Sequence, residues 1–319
     1  MAVLVIADQG DWPTDRVVKT LTDRGVEVFR LDTAEFPTAL TVGARLDQAP
    51  TWTGTLTNGH RSLQWEDVTA VYYRTPRAFV WPEAMTEPER RFAAAQARYG
   101  LGGLITSLDC HWVSHPAAMS AAEYKPRQLT VAARSGLRVP PTLLTTRPDE
   151  VRQFAREHGP VVAKPVASPM LWEGDDLKVT YTKLIQPSDL ADLTGIDSTV
   201  HLFQQWVLKR HEVRLTVVGR RLFAAEIHAH SDAAYIDWRS DYPSLSYTTA
   251  TVPDPVAQGV RRYMDTMELT YGAFDFIVDL HDRWWFLECN PCGQWDWIAA
   301  ATGQPIADAI ADELQGATR

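Results

Sequence analysis

The chain of 319 residues has only three cysteines, Cys110, Cys289 and Cys292. That is too few for a disulfide framework and fits a reducing compartment. Basic residues are in deficit: 31 Lys and Arg stand against 40 Asp and Glu, a formal net charge of −9. A duplex nucleic-acid binder carries a basic stripe, so that class is disfavoured. No window reaches the ~18 apolar residues of a membrane span. The opening "MAVLVIADQGDW" lacks a basic leading region, and its apolar run of about six residues reads as a strand rather than a signal peptide. No G-x-G-x-x-G follows that strand; "DQGDW" is a weak substitute, so no dinucleotide site is assigned. Internal repeats, low-complexity tracts and long linkers are also missing. A cytoplasmic globular protein is expected, and 45% hydrophobic composition supplies a sizeable core.

What is present is patterned as α/β. "AVLVIA", a helical stretch "PTDRVVKTLTDRG" ending at Gly25, and "VEVFRLD" predict a β-α-β unit with parallel strands. Asn58-Gly59 predicts a hairpin. "VYYRTPR" reads as a strand ending in Arg74 and Arg77, and Thr86 as the cap of a long helix. Further on, a helix ends at Gly136 and another at Gly159. "PVVAKPV", "LKVTYTKLI" and "HLFQQWV" read as strands. Two hairpins follow, one turning at Gly219-Arg220 and one formed by "GAFDFIVDLHDRWWFLECN". A closing helix is read in "QPIADAIADELQG".

The second hairpin carries chemistry. Glu288 and Asn290 are two apart on a strand and share a face, with Cys289 pointing the other way. A two-residue turn at His281-Asp282 sets Asp275 opposite Glu288, whereas a one-residue slip would flip it. Two carboxylates and an amide oxygen are hard ligands suited to Mg²⁺; a solvated polar face is the alternative. Cys289 and Cys292 also form a C-x-x-C. A redox pair would sit at a helix start, and a zinc site needs two more ligands, for which Cys110-His111 in another part of the chain is the candidate.

Lys164 lies in "VVAKPV", among apolar residues, and either snorkels to an edge or meets an anion. Trp206 and Val207 offer apolar surface and free backbone groups of the kind an adenine ring needs. Glu212 and Arg214 share a strand face: a carboxylate suits ribose hydroxyls, and a fixed arginine suits a phosphate or acyl-phosphate. A same-face salt bridge is the structural alternative.

In this order, Lys125, Lys164, the "QQWV" hinge, "EVRLTVVG", "GAFDFIVD" and "FLECNPCGQW" resemble the ATP-grasp carboxylate–amine/alcohol ligases over nearly the whole chain. The resemblance implies a three-lobed α/β ATP-grasp fold: a Rossmann-like pre-ATP-grasp lobe (1–115), a central lobe (116–205) and a C-terminal lobe with the metal site (206–319). It implies nucleotide contacts from Lys125, Lys164, Gln204, Gln205, Trp206, Val207, Lys209 and Glu212. It also implies metal binding of two Mg²⁺ by Asp275, Glu288 and Asn290, and catalytic roles for Arg214 and Arg239. "YYRTPR", "KRHEVRLTVVG", "IDWR" and "NPCGQW" further resemble the graspetide (microviridin-type) ribosomal peptide maturases. That implies ATP-dependent macrocyclisation of a precursor peptide. Side-chain carboxylates would be activated as acyl-phosphates and joined to Thr, Ser or Lys side chains. Arg74, Arg77 and Arg239 are the candidates to hold an acidic core peptide, and the leader is expected on the central lobe. Residues 166–181 are the candidate lid. No nucleic acid or membrane partner is expected, and a homodimer is left open. The rival readings are a ligase acting on small molecules and a non-catalytic nucleotide-binding regulator.

Overall fold

The computed structural model describes residues 2–59, 61–167, 170–173 and 176–316. Strand β1 (Ala2–Ile6), helix α1 (Trp12–Asp23) and strand β2 (Val28–Leu31) form the β-α-β unit, with β1 and β2 parallel. Asp11 starts α1 by accepting from the Thr14 N–H at 3.1 Å. Strands β3 (Leu40–Arg45), β4 (Thr53–Asn58) and β5 (Arg61–Gln64) make a separate antiparallel sheet. Asn58 pairs with Arg61, so the expected hairpin is present with Asn58 as the last paired residue of β4 rather than a residue of the turn. Strands β6 (Val68–Tyr73) and β7 (His111–Val113) complete a parallel sheet in the order β2-β1-β6-β7. Helix α2 (Glu87–Thr106) opens at Thr86, whose N–H and hydroxyl both reach Glu89 at 2.7 Å. It covers one sheet face with Leu101 and Ile105.

Helices α3 (Pro116–Ala122) and α4 (Lys125–Arg134) lead into strand β8 (Thr142–Thr145), helix α5 (Pro148–His158) and strand β9 (Val161–Lys164). Strands β10 (Met170–Glu173) and β11 (Asp176–Val179) form a two-stranded antiparallel hairpin of their own. It falls within the candidate lid, of which Ser168, Pro169, Gly174 and Asp175 lie outside the described residues. Strand β12 (Lys183–Leu184), helix α6 (Pro187–Ala191) and strand β13 (His201–Gln205) finish the central sheet, ordered β12-β9-β13-β8. The single strand read in "LKVTYTKLI" is thus two. Between them Thr182 gives its N–H to the Asp237 carboxylate at 3.0 Å instead of to a neighbouring strand.

The third sheet holds strands β14 (Lys209–Val218), β15 (Arg221–Ala229), β16 (Leu245–Ala250), β17 (Tyr271–Asp279) and β18 (Trp284–Asn290), in the order β16-β15-β14-β17-β18. Helices α7 (Asp232–Ile236) and α8 (Asp254–Met267) are inserted in it, and α9 (Asp296–Thr302) and α10 (Ile306–Gly316) follow. Val218 pairs with Arg221 around the expected Gly219-Arg220 turn. Alternation along β14 sends Val213, Leu215 and Val217 to a core shared with α3, α4 and α8, including Met119, Val131, Phe274 and Phe286. Helices α3 and α4, grouped with the central lobe on sequence, therefore pack on the C-terminal sheet. Helix α10 places Ile306, Ile310 and Leu314 against Val3, Val5, Val17 and Leu21 of the first unit. Among the described residues no helix is long and apolar enough to cross a membrane.

Candidate active site

The face of the third sheet opposite that apolar core is polar near the start of β14. Glu212 and Arg214 alternate away from Val213 and Leu215, and Asp275 pairs with Arg214 from β17. Glu288 sits opposite Asp275 on β18. The expected pairing is present, but the turn differs from the two-residue form read in the sequence. Asp279 takes the N–H of Asp282 at 3.1 Å and gives its own N–H to Arg283 at 3.0 Å, which leaves Leu280 to Asp282 as the turn. Asp282 is left-handed at φ 60°. A bulge between Asp275 and Phe276 absorbs the extra residue and restores the Asp275–Glu288 pair.

Cations gather on these carboxylates. One Arg239 terminal nitrogen donates to both Asp275 and Glu288, the latter at 2.9 Å. Lys125 lies 3.2 Å from Glu288 and donates to the Pro165 carbonyl at 2.8 Å. Arg214 Nη1 approaches Asp275 Oδ1 to 3.0 Å. That contact has ion-pair distance without hydrogen-bond geometry: Arg214 Nε and Nη1 and Asp275 Oδ1 are all buried with no hydrogen bond. Lys164, across the cleft on β9, donates to Gln204 at 2.8 Å. Lys209 and Glu212, both buried, pair with each other.

Burial and charge oppose each other in this cluster. Burial works to raise the Glu288 carboxyl, but Lys125, Arg239 and Lys164 outweigh it and bring the pKa down to about 2. Burial pushes Asp275 up, and Glu288 adds repulsion, against the pull of Arg214 and Arg239. Burial raises Glu212 too, with Lys209 opposing. Lys164 is brought down to about 8 by burial, which the facing carboxylates only partly offset.

Residues without an obvious chemical signature hold the cluster in place. Asp237 takes the Arg239 N–H at 3.1 Å as well as the Thr182 N–H, tying the arginine to the central lobe. Trp238 stacks 4.5 Å from the Arg239 guanidinium and 5.4 Å from that of Arg214, and Trp297 lies 5.8 Å from Arg214. Gln128, buried on α4, exchanges two hydrogen bonds with the Cys289 backbone, each 2.9 Å, and so fixes β18. None of these was singled out from sequence. For Trp238 and Asp237, the short string "IDWR" was the signal; Trp297 had none.

Other expected residues fall elsewhere. Gln205 and Trp206 give their N–H groups to Pro141 and Pro160 at 2.9 and 2.8 Å, and the Gln205 amide reaches His158 O at 3.1 Å. The backbone free for a ligand therefore shifts from Trp206 toward Val207 and Leu208. A cavity of about 290 Å³ opens beside this hinge, lined by Gln205 to Leu208 and by the β17–β18 turn. A larger cavity of about 550 Å³, between α5 and the β12–α6 segment, shares no residue with the cluster.

Arg74 does not reach the cluster. It is 3% exposed, pairs with Asp11 at 3.3 Å, and donates to the carbonyls of Cys292 and Gly293 and to the Gln294 side chain. It clamps the turn after β18 to the first unit. That turn is packed tightly: a Cβ on Gly293 would lie 2.5 Å from Ala273 Cβ. Arg77 is half-exposed but tied to Asp32 at 2.6 Å. Asn290 is exposed, and its Oδ1 caps the Cys292 N–H at 2.8 Å.

The C-x-x-C has neither redox nor zinc character. Cys289 is buried in the apolar core, burial raises the pKa of both thiols, and no cysteine joins a metal-holding group among the described residues.

Residues 2–120 match the family model described as the MvdD pre-ATP grasp domain. A RiPP-associated ATP-grasp ligase from Chryseobacterium gregarium, solved with ADP and a leader and core peptide, superposes with a TM-score of 0.91 at 27% identity, over 99% of this chain and 97% of that one. The chain folds as an ATP-grasp ligase. The chain is also similar to the macrocyclase MdnC of Microcystis aeruginosa MRC, bound with precursor peptide MdnA, at TM-score 0.85 and 29% identity over 99% and 100% of the two chains. The macrocyclase MdnB of the same organism matches at TM-score 0.80 and 28% identity over 98% of each. No curated protein matches this ATP-grasp sequence.

Proposed function

We propose that the protein is an ATP-dependent macrocyclase of a ribosomally made precursor peptide. The observation that carries this reading is the convergence of Arg214, Arg239 and Lys125 on Asp275 and Glu288, with buried polar atoms of Arg214 and Asp275 left without hydrogen bonds. A buried polar atom whose hydrogen-bonding capacity is unmet costs stability unless a ligand completes it. The full-length likeness to a ligase solved with a leader and core peptide, and to a macrocyclase solved with its precursor peptide, supports a peptide substrate.

Free carboxylates do not acylate hydroxyls, because oxide is a poor leaving group. Transfer of the ATP γ-phosphoryl to an Asp or Glu side chain of the peptide gives an acyl-phosphate and ADP. A Thr or Ser hydroxyl, or a Lys amine, then attacks its carbonyl carbon and phosphate leaves, giving an ester or an amide. Lys125 and Lys164 hold the nucleotide phosphates, and the hinge through Val207 and Leu208 takes the adenine. Glu212 meets the ribose, with Lys209 holding its carboxylate. Asp275 and Glu288 would supply hard carboxylate oxygens to a divalent ion, Asp275 through an Oδ1 that accepts no hydrogen bond, and Asn290 would join them once its Oδ1 releases the Cys292 N–H. Mg²⁺ there, two ions by this reading, would neutralise charge on the transferring phosphoryl group. Arg214 and Arg239 bind the γ-phosphate and acyl-phosphate oxygens, positioned by the Trp238 ring. The β10–β11 hairpin closes over the site and excludes water. Arg77 contacts the acidic core peptide from the N-terminal lobe, while Arg74 acts on the turn after β18. The enzyme works in the cytoplasm, without nucleic acid or membrane, and a homodimer is compatible with it.

The test is incubation with ATP, Mg²⁺ and an acidic Thr-containing precursor, followed by mass spectrometry. Loss of one water per ring, with ADP formed, is the expected result. A mass gain would favour a ligase that joins small molecules, and background ADP release with every acceptor would favour a non-catalytic regulator.

A further inference from the structure

On the other face of the β14–β15 pair, away from the reacting cluster, three side chains converge that the ligase reading does not use. His211 lies near the start of β14, one residue before Glu212, and points the opposite way. Glu226 and His228 are two apart on β15 and share that face. Glu226 lies across from Val213, and the same register sets His228 beside His211, their rings 5.3 Å apart. One ligating atom from each of the three residues lies within 4.8 Å of the others. His211 Nε2 is 3.7 Å from one Glu226 oxygen and His228 Nε2 is 2.9 Å from the other.

We propose that His211, Glu226 and His228 form a site for a divalent transition-metal ion, with Zn²⁺ the best suited. Two imidazoles and one carboxylate are a borderline-soft set that favours zinc and discriminates against Mg²⁺, which prefers oxygen alone. A tetrahedral ion with bonds of about 2.0–2.2 Å needs ligating atoms spaced close to those found here, so modest rotation of the side chains suffices. The His228–Glu226 hydrogen bond is the contact the ion would replace. Burial, and the neighbouring His228 and Arg210, favour neutral His211, the form that ligates, while Glu226 and Asp282 pull the other way. Thr248 on β16 donates to Glu226 at 3.2 Å and orients the carboxylate. The His211 side chain is 10% exposed, but Glu226 and His228 are about one third exposed, which leaves an entry path from solvent.

Three protein ligands leave the fourth position for water. The ion would cross-link the start of β14 to β15, next to Lys209 and Glu212. It would therefore clip the strand that carries the nucleotide residues without taking part in the chemistry.

The site is read by metal binding, so its test is independent of the peptide substrate. Metal-free protein is titrated with Zn²⁺ and, separately, with Co²⁺ as a visible probe, with metal content and thermal unfolding as the readouts. Wild type is expected to hold one Zn²⁺ per chain, to show the bands of four-coordinate Co²⁺ with nitrogen ligation, and to melt higher with zinc. His228→Ala and Glu226→Gln are expected to weaken binding by more than about tenfold. Glu288→Gln should retain it, which separates this site from the Asp275–Glu288 cluster. Zinc affinity equal in wild type and His228→Ala, with no zinc-dependent shift in melting, would overturn the assignment.

Discussion

Asp275 and Glu288 face each other across the β17–β18 ladder although the turn joining their strands is one residue longer than an even ladder allows. The bulge next to Asp275 removes the mismatch. It thereby sets both carboxylates on one face, where Arg239 bridges them. Without the bulge, one of the two would point into the apolar core beside Phe286.

Glu288→Gln keeps the shape of the side chain and removes its charge. Ring closure is expected to fall by about a hundredfold or more, on the scale of losing one group that stabilises transition-state charge. The circular-dichroism spectrum should stay native. Full activity in this variant would remove Glu288 from the metal site.

Arg239 is the cation that now neutralises both carboxylates. In Arg239→Ala, Asp275 and Glu288 lose that neighbour and repel each other. Calorimetry should then show Mg²⁺ binding to nucleotide-free protein several-fold tighter, while ring closure of the precursor falls. Weaker Mg²⁺ binding in the variant would contradict a competing guanidinium.

Lys164 is held down to about 8 by burial, so its charge is present below that pH and lost as pH rises through it. ADP affinity should therefore weaken above about pH 8 in the wild type. Lys164→Arg keeps its charge throughout, and its affinity profile should stay flat there. The stability sign is opposite. With the folded pKa below the unfolded one, the free protein should gain stability between about pH 8 and 10.5 as the half-buried ammonium deprotonates.

Arg74→Ala strands the buried Asp11 carboxylate and frees the carbonyls of Cys292 and Gly293. A broken buried pair of this kind costs about 3–5 kcal/mol, so the urea midpoint should drop sharply. Peptide affinity of whatever protein remains folded should be unchanged. A loss of peptide affinity at unaltered stability would return Arg74 to a substrate role.

The legible parts of the molecule were those governed by local rules. Alternation along "FLECN" separated Glu288 from Cys289, and Gly159 and Gly219 marked the ends of elements. The missed parts depend on pairs far apart in sequence. Gln128 finds Cys289 across 161 residues, and Asp237 finds Thr182 across 55. Arg74 looked like a ligand-binding arginine at a strand end because nothing local reveals that Asp11 and the Cys292–Gly293 carbonyls will surround it. Helices α3 and α4 were grouped by proximity in the chain, but their apolar faces fit the C-terminal sheet.

The packing of α10 makes the beginning of the chain depend on its end. Val3, Val5, Val17 and Leu21 are covered by Ile306, Ile310 and Leu314, and Arg24 fastens the contact through Asp308 and Asp312. During synthesis the first β-α-β unit therefore leaves the ribosome with one apolar face bare and keeps it so until residue 306 and beyond have emerged. The N-terminal lobe completes its core only after translation of this segment, and nascent chains shorter than that present a surface for chaperones.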